Sequence, residues 1–410
     1  MSSTQTAISK VLVLSAHAGS LDRRIVAEVN TLAASGRDIT FVSLPVDIPV
    51  QDFDPRVRIV MRPVARLNRQ ARLKHVVDHL PFRCREYAKI AWRLVGPKPI
   101  ATNRHYFSLL TPEDCYDAIH CHDLDTLPIG AEIRTAMCPK AKLIYDSHEL
   151  FPHQFPAGRY QRYWSRVETD YVSAADLVIT VNASIARALT HFYGIERPEV
   201  IYNSYAAPPR GTPLDEAVFL RHFRAQPGGF RVMFQGNMVA EKNVETLLQA
   251  FRLLPESTQL FLLGGGPLWG PLQMLRDRLR LKNVYFGGWV EQKQLLSYLE
   301  PAHMGVIPYL GDELLNNRYC TPNKLFEFIE AELPICASDL PELRRIVKGY
   351  GLGGVYAMHD PESIAKAIVE CRDRHAMGEF TQAARRAARE AFSWQQQEAK
   401  LLALYDRLGV

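Results

Sequence analysis

The sequence predicts an α/β protein in which a doubly wound, mostly parallel sheet is built twice. Three observations predict it. Short apolar runs alternate with helical patterns along the whole chain. Those runs are almost continuously Val, Ile and Leu rather than alternating, as in strands buried on both faces. A Pro- and Gly-rich break at 203–213 (NSYAAPPRGTP) separates two strand series. The first series reads KVLVLSAH, ITFVSL, AIHCHD, KLIYDSHE, LVITVN and EVIYNS. The second reads FRVMFQGN, TQLFLLGGG, NVYFGGW, MGVIPY, LPICAS and GGVYAM. The expected domains are 1–205, 206–390 and a closing helix over 391–410 that packs back on the first domain.

At 410 residues the chain is long enough for two or three domains. Hydrophobic content of 47% and charged content of 23% are those of a soluble globular protein. No run approaches the length of a bilayer-spanning helix. The opening MSSTQTAISKVLVLSAH has one Lys before a short apolar run and reads as a first buried strand rather than an export signal. The 7 cysteines are scattered, without paired spacing, which points to a reducing compartment. His120 and His122 would share one face of a strand with Cys121 turned away, so no metal site is expected there.

Net charge is only +5, but it is unevenly spread. Between Arg56 and Arg104 thirteen basic residues face only Asp78 and Glu86, so the rest of the chain is net acidic. The 64–95 part of this window reads as helical, with Leu67, Val76, Tyr87, Ile90 and Trp92 among the charges. Such a patch suits an anionic membrane surface, a phosphorylated acceptor, nucleic acid or simply a solvated face.

In doubly wound sheets ligands bind beyond the carboxyl ends of the strands, so the polar residues that follow each strand carry the functional signal. Thr321-Pro322-Asn323-Lys324 reads as a helix start, with Thr321 as cap and Pro322 as first residue. The amides of Asn323 and Lys324 and the Lys324 charge then form an anion site. Glu327, one turn on, suits a ribose diol. Lys242 enters a helix after the strand that ends Gly236-Asn237 and could reach the same anion. Gly264-Gly265-Gly266 makes a second glycine turn where a backbone could approach a ligand. Trp289, with Val290 behind it, could stack on a base or fill core. His17, Gly19, His122, His148 and Glu149 follow strand ends in the first half. Asp123-Leu-Asp125 and Asp52-Phe-Asp54 imitate a metal-binding Asp-x-Asp motif, and both read as coincidental.

FQGNMVAEKNVETLLQAF, LFLLGGGP, NVYFGGWV and PNKLFEFIEAELPICASDLPEL resemble the family-four retaining glycosyltransferases of the GT-B fold. DRRIVAEVNTLAASG, YDAIHCHDLDTLPIG, LIYDSHELFP and AADLVITVNASIARAL match the same family more loosely. The resemblance implies two Rossmann-like domains facing a central cleft. It implies transfer of a sugar, of hexosyltransferase type, from a nucleotide diphosphate donor without a metal or cofactor. A UDP-sugar is expected rather than a GDP-sugar. It assigns Lys242 to the donor phosphates, Glu327 to the ribose, His122 to the donor sugar, and Gly19 to the diphosphate-facing loop. His17, His148 and Glu149 are acceptor-side candidates. Two positions depart from the family pattern: Asn237 stands where a basic residue is usual, and Tyr319 where a first Glu would fall. Relatives with the PNKLFE form resemble capsule and lipopolysaccharide transferases. This implies a lipid-linked or small-molecule acceptor met in the cytoplasm or at the membrane face, and no nucleic acid. Two rivals share the architecture: a non-hydrolysing sugar-nucleotide epimerase and a non-catalytic binding subunit.

Overall fold

The computed structural model describes residues 8–16, 22–43, 52–61, 110, 114–204 and 214–410. His17, Gly19, most of the basic window and most of the 203–213 break lie outside these. The described chain divides into two compact units, Met1–Ile201 with Glu398–Val410, and Tyr202–Gln397.

The first unit holds seven strands: β1 Lys10–Ser15, β2 Asp38–Ser43, β3 Arg58–Met61, β4 Ala118–His122, β5 Lys142–Ser147, β6 Leu177–Thr180 and β7 Glu199–Val200. Their order in the sheet is β3-β2-β1-β4-β5-β6-β7, and every pairing is parallel. β1 and β4 diverge in sequence but pair directly, Val13 lying opposite His120. This is the point where strand order reverses, and such points open a crevice at the carboxyl ends. β4 is buried at every position, because helices cover both faces of a parallel sheet. β3 was not expected: its four residues sit among arginines, where charge hides the apolar Ile59 and Val60. The closing helix Trp394–Leu408 brings Leu401, Leu404 and Tyr405 into the core made by Ile25, Val29 and Phe41.

The second unit repeats the plan with six strands: β8 Phe230–Asn237, β9 Thr258–Gly265, β10 Val284–Gly288, β11 Met304–Ile307, β12 Ile335–Ser338 and β13 Gly353–Tyr356. Their order is β10-β9-β8-β11-β12-β13, again all parallel. The switch point lies between β8 and β11. Two apolar layers hold this sheet. One gathers Phe219, Phe261, Leu325 and Phe328, and the other Val232, Leu247, Leu262 and Ile368. Among the described residues no helix is long and apolar enough to cross a membrane.

Candidate active site

At the β8/β11 switch point two ammonium groups converge on one ring. Lys242 Nζ lies 3.8 Å from the centre of the Tyr309 ring, and Lys324 Nζ lies 4.8 Å from the same centre. Lys324 also sits 3.9 Å from the Phe234 ring. Lys324 is only 5% exposed, and its ammonium has no hydrogen-bond partner among the described residues. Burial first, and then Lys242, hold its pKa well below the usual 10.5, while Glu327 opposes them. Like charges brought together in a dry site are costly unless an anion joins them, so the π faces supply only partial compensation.

The helix Asn323–Glu330 starts beside this pair. Its cap is Pro322 rather than the expected Thr321. The Pro322 carbonyl accepts the Leu325 N–H at 2.9 Å, and no side chain caps the end. The positive end of the helix dipole therefore adds to the two lysines. Glu327 is 3% exposed and accepts from Gln235 Nε2, with Gln292 Nε2 at 3.5 Å. Glycine is required around it. A Cβ on Gly264, at φ +115°, would fall 2.0 Å from the Gly236 carbonyl oxygen, and one on Gly266 would fall 2.2 Å from Asn237 Oδ1. These turns let the ends of β8 and β9 lie close together.

The first unit has a different polar centre, a buried ionic network at the carboxyl ends of β4 and β5. Arg24 Nη2 donates to both Asp146 oxygens at 2.7 Å, and Arg24 Nε donates to Glu28 Oε1 at 2.6 Å. His120 and His122 stack with ring centres 4.5 Å apart, and His122 Nδ1 lies 3.0 Å from His148 Nε2. His148 Nδ1 is 3.5 Å from Asp22, and His120 Nδ1 is 2.8 Å from the Tyr405 hydroxyl on the closing helix. Burial alone would raise the Asp146 carboxyl, but Arg24 and His148 outweigh it and hold it well below the usual range. Burial would lower His148, but Asp146 and Asp123 outweigh it and raise it well above 6.5. Burial and His120 lower His122, so its ring is neutral. Glu28, His120, His122 and Asp146 offer ligand atoms all within 4.8 Å, a set that could hold a metal by type. Arg24 already lies on both carboxylates.

Comparisons with known proteins identify the family. The family described as Glycosyltransferase Family 4 matches residues 22–205, and Glycosyl transferases group 1 matches residues 229–373. The chain belongs to the GT-B glycosyltransferases. It is 24% identical over 297 residues to an uncharacterized glycosyltransferase of Methanocaldococcus jannaschii, covering 68% of this chain and 73% of that one. Sucrose-phosphate synthase from Thermosynechococcus elongatus has a similar fold, with TM-score 0.72 at 18% identity over 98% of this chain and 99% of that one. HepE of Anabaena, solved in complex with UDP, gives TM-score 0.65 at 16% identity over 97% and 100%.

The glycosyltransferase's C-terminal unit gathers Asn237, Lys242, Gly265, Gly266, Lys324 and Glu327 about the carboxyl ends of β8 and β9 and the start of one helix. Trp289 is 69% exposed, and a Cβ on Gly265 would fall 2.5 Å from its Nε1, so the indole lies over the glycine turn rather than in the core. Val290 packs at the edge of the apolar layer. Asn323 is exposed and its Oδ1 accepts from Asn203. In the N-terminal unit His122 is fully buried, and His148, 7% exposed, is the member of the His120–His122–His148 row that reaches the surface. Glu149 is exposed, and its carbonyl accepts from Ser147 Oγ at 2.7 Å. Asp123, at φ +65°, accepts the His148 N–H at 3.1 Å, and Asp54 pairs with Arg56 at 2.7 Å. Sequence reading missed Gln235, Tyr309 and Phe234. It also missed Arg24 and Glu28, whose i,i+4 spacing looks the same on a surface helix as in a buried one.

Proposed function

We propose that this glycosyltransferase transfers a hexose from a UDP-sugar to a hydroxyl acceptor with retention of anomeric configuration and without a metal. The observation that carries this reading is the convergence of Lys242 and the buried, unpartnered Lys324 on Tyr309 at an uncapped helix start. Two cations and a dipole end suit a diphosphate, and they stabilise it most as it leaves with developing charge. Glu327, one turn along, takes the ribose hydroxyls, and Trp289 offers a face to the base. The UDP held by HepE supports the choice of base. The acceptor is met on the N-terminal unit, where His148 orients it and His122 supports His148 from beneath. With Glu327 facing Gln235 and Tyr319 in place of a first Glu, no matched motif supplies a nucleophile for a glycosyl-enzyme. The leaving diphosphate itself then receives the acceptor proton in a front-face displacement.

The test is product stereochemistry. A UDP-sugar with an axial anomeric bond is expected to give an axial product, with undiminished rate in a chelator and no sugar-bearing peptide by mass spectrometry. An inverted product overturns retention, and loss of activity in chelator overturns metal independence. Turnover of the donor without acceptor would mark an epimerase, and UDP binding with no turnover a binding subunit.

The basic window from Arg56 to Arg104 supports attachment to an anionic membrane face that carries a lipid-linked acceptor. Each basic residue at such a surface contributes about 1 kcal/mol, screened by salt. Co-sedimentation is expected with phosphatidylserine-containing vesicles at low salt and not with neutral vesicles. Equal binding to both, or to neither, removes the membrane from the reading.

A further inference from the structure

The loop that follows β11 borders both the lysine pair and a cavity. Tyr309 lies under the lysine pair, and Leu310 N–H fixes the loop by donating to the Glu241 carbonyl at 2.9 Å. Two residues on, Gly311 lines a cavity of about 480 Å³ at the carboxyl ends of β11, β12 and β13. That volume lies in the range of about 300–1,000 Å³ usual for small-ligand sites. Its polar lining is Asp312, Arg318, Asp339 and Arg344, and its apolar lining includes Leu340 and Met358. The loop is built to leave this space. Gly311 N–H points to Met358 Sδ at 3.3 Å, and a Cβ on Gly311 would fall 2.4 Å from the Leu340 side chain.

The lining carries two arginines and two aspartates, and they are not all paired with one another. Arg344 Nε donates to Asp339 at 2.6 Å, and Asp312 lies 2.7 Å from His359 Nε2. The Arg318 guanidinium has no carboxylate against it among the described residues, although it borders the same cavity. The helix Pro341–Gly349 begins on the cavity wall with no side-chain cap, which adds positive potential. Paired Asp and Arg groups are planar donors and acceptors suited to a row of hydroxyls. Leu340 and Met358 offer apolar contact to the C–H side of a ring. The Arg318 guanidinium, held by no carboxylate among the described residues, matches an incoming carboxylate through two parallel hydrogen bonds.

We propose that this cavity is a saccharide subsite for a carboxylate-bearing sugar, with the carboxylate on Arg318 and the ring hydroxyls on the Asp339–Arg344 pair. It is distinct from the lysine pair, so it fills whether or not UDP is bound. Its place on the far side of the Tyr309–Gly311 loop puts an acidic sugar beside the donor diphosphate. That placement rests on the transferase reading; the binding itself does not.

Saturation-transfer NMR of the full chain tests it, with free glucuronate as probe in saturating UDP and glucose and inorganic phosphate as comparisons. Glucuronate is expected to bind and to bind more tightly than glucose. Arg318→Ala should weaken it about tenfold or more, the loss of one charge-assisted contact, and Arg318→Lys should recover part of that. Lys242→Ala should leave glucuronate binding unchanged while weakening UDP. Displacement of glucuronate by UDP, equal binding of glucose, or an unaltered Arg318→Ala variant overturns the subsite. Displacement by equimolar inorganic phosphate would make it an anion site only and overturns the saccharide assignment. Failure of UDP to bind with glucuronate binding intact would instead count against the donor reading.

Discussion

Replacing Lys324 by methionine is expected to raise the melting temperature of the unliganded protein while lowering kcat/KM about tenfold or more. The two effects have one cause. In the free protein the ammonium is 5% exposed, has no hydrogen-bond partner among the described residues, and shares Tyr309 with a second cation. An apolar side chain of similar length removes that desolvation penalty. With the donor diphosphate in place, the same change deletes a charge-assisted contact worth about 1.5–3 kcal/mol, or about 10- to 150-fold in catalytic efficiency. A pH series separates this from simple repacking. Lys324 has a folded pKa below its unfolded value of 10.5, so between the two values the unfolded chain holds a proton that the folded chain has released. Stability from this group therefore rises with pH through that window, and Lys324→Met should flatten the rise. Donor binding returns the proton, so UDP affinity should fall as pH climbs through the lowered pKa. Calorimetry and steady-state kinetics read both. A variant that melts lower and turns over normally would make Lys324 a packing residue.

Asp146→Asn should destabilise the N-terminal unit by about 3–5 kcal/mol, because it breaks one side of a fully buried ion pair and strands the Arg24 charge. For a domain of this size that is a fall of about 6–20 °C in melting temperature. Glu28→Gln should cost less. Arg24 also bonds Glu28, but burial pushes the Glu28 carboxyl up while Asp146 is held down, so Asp146 carries the firmer negative charge. The pH signs differ within the network. Asp146, with a depressed folded pKa, stabilises above the usual 3.8, and that contribution is lost as pH falls through its folded value. His148, with a raised folded pKa, stabilises fully below 6.5, and that contribution is lost as pH rises through its folded value. The N-terminal unit should thus lose the His148 contribution on the alkaline side of 6.5, and His148→Gln should abolish that part of its profile. Equal losses in Asp146→Asn and Glu28→Gln would show that the two carboxylates share the charge evenly.

The sequence by itself determined the class of fold and brought forward the residues proposed to hold the donor. Unbroken apolar runs have only one comfortable place, between two layers of helices, and glycine, lysine and a Pro-led helix start at strand ends announce an anion site before any contact is seen. Lys242, Lys324 and Glu327 were legible for that reason. Tertiary structure decided which neighbours complete them. Tyr309, Phe234 and Gln235 come from β8 and the loop after β11, and only the pairing of strands distant in sequence brings them to the lysines. It also decided that His122 lies fully buried beneath His148 and that Arg24 bridges Glu28 and Asp146. The physical reason is that spacing along a helix or strand fixes which side a residue faces, but not what is packed against that side. An i,i+4 Arg–Glu pair reads the same on a wet surface and in a dry interior. Desolvation, which sets its charge state and its cost, exists only once the sheet has closed over it.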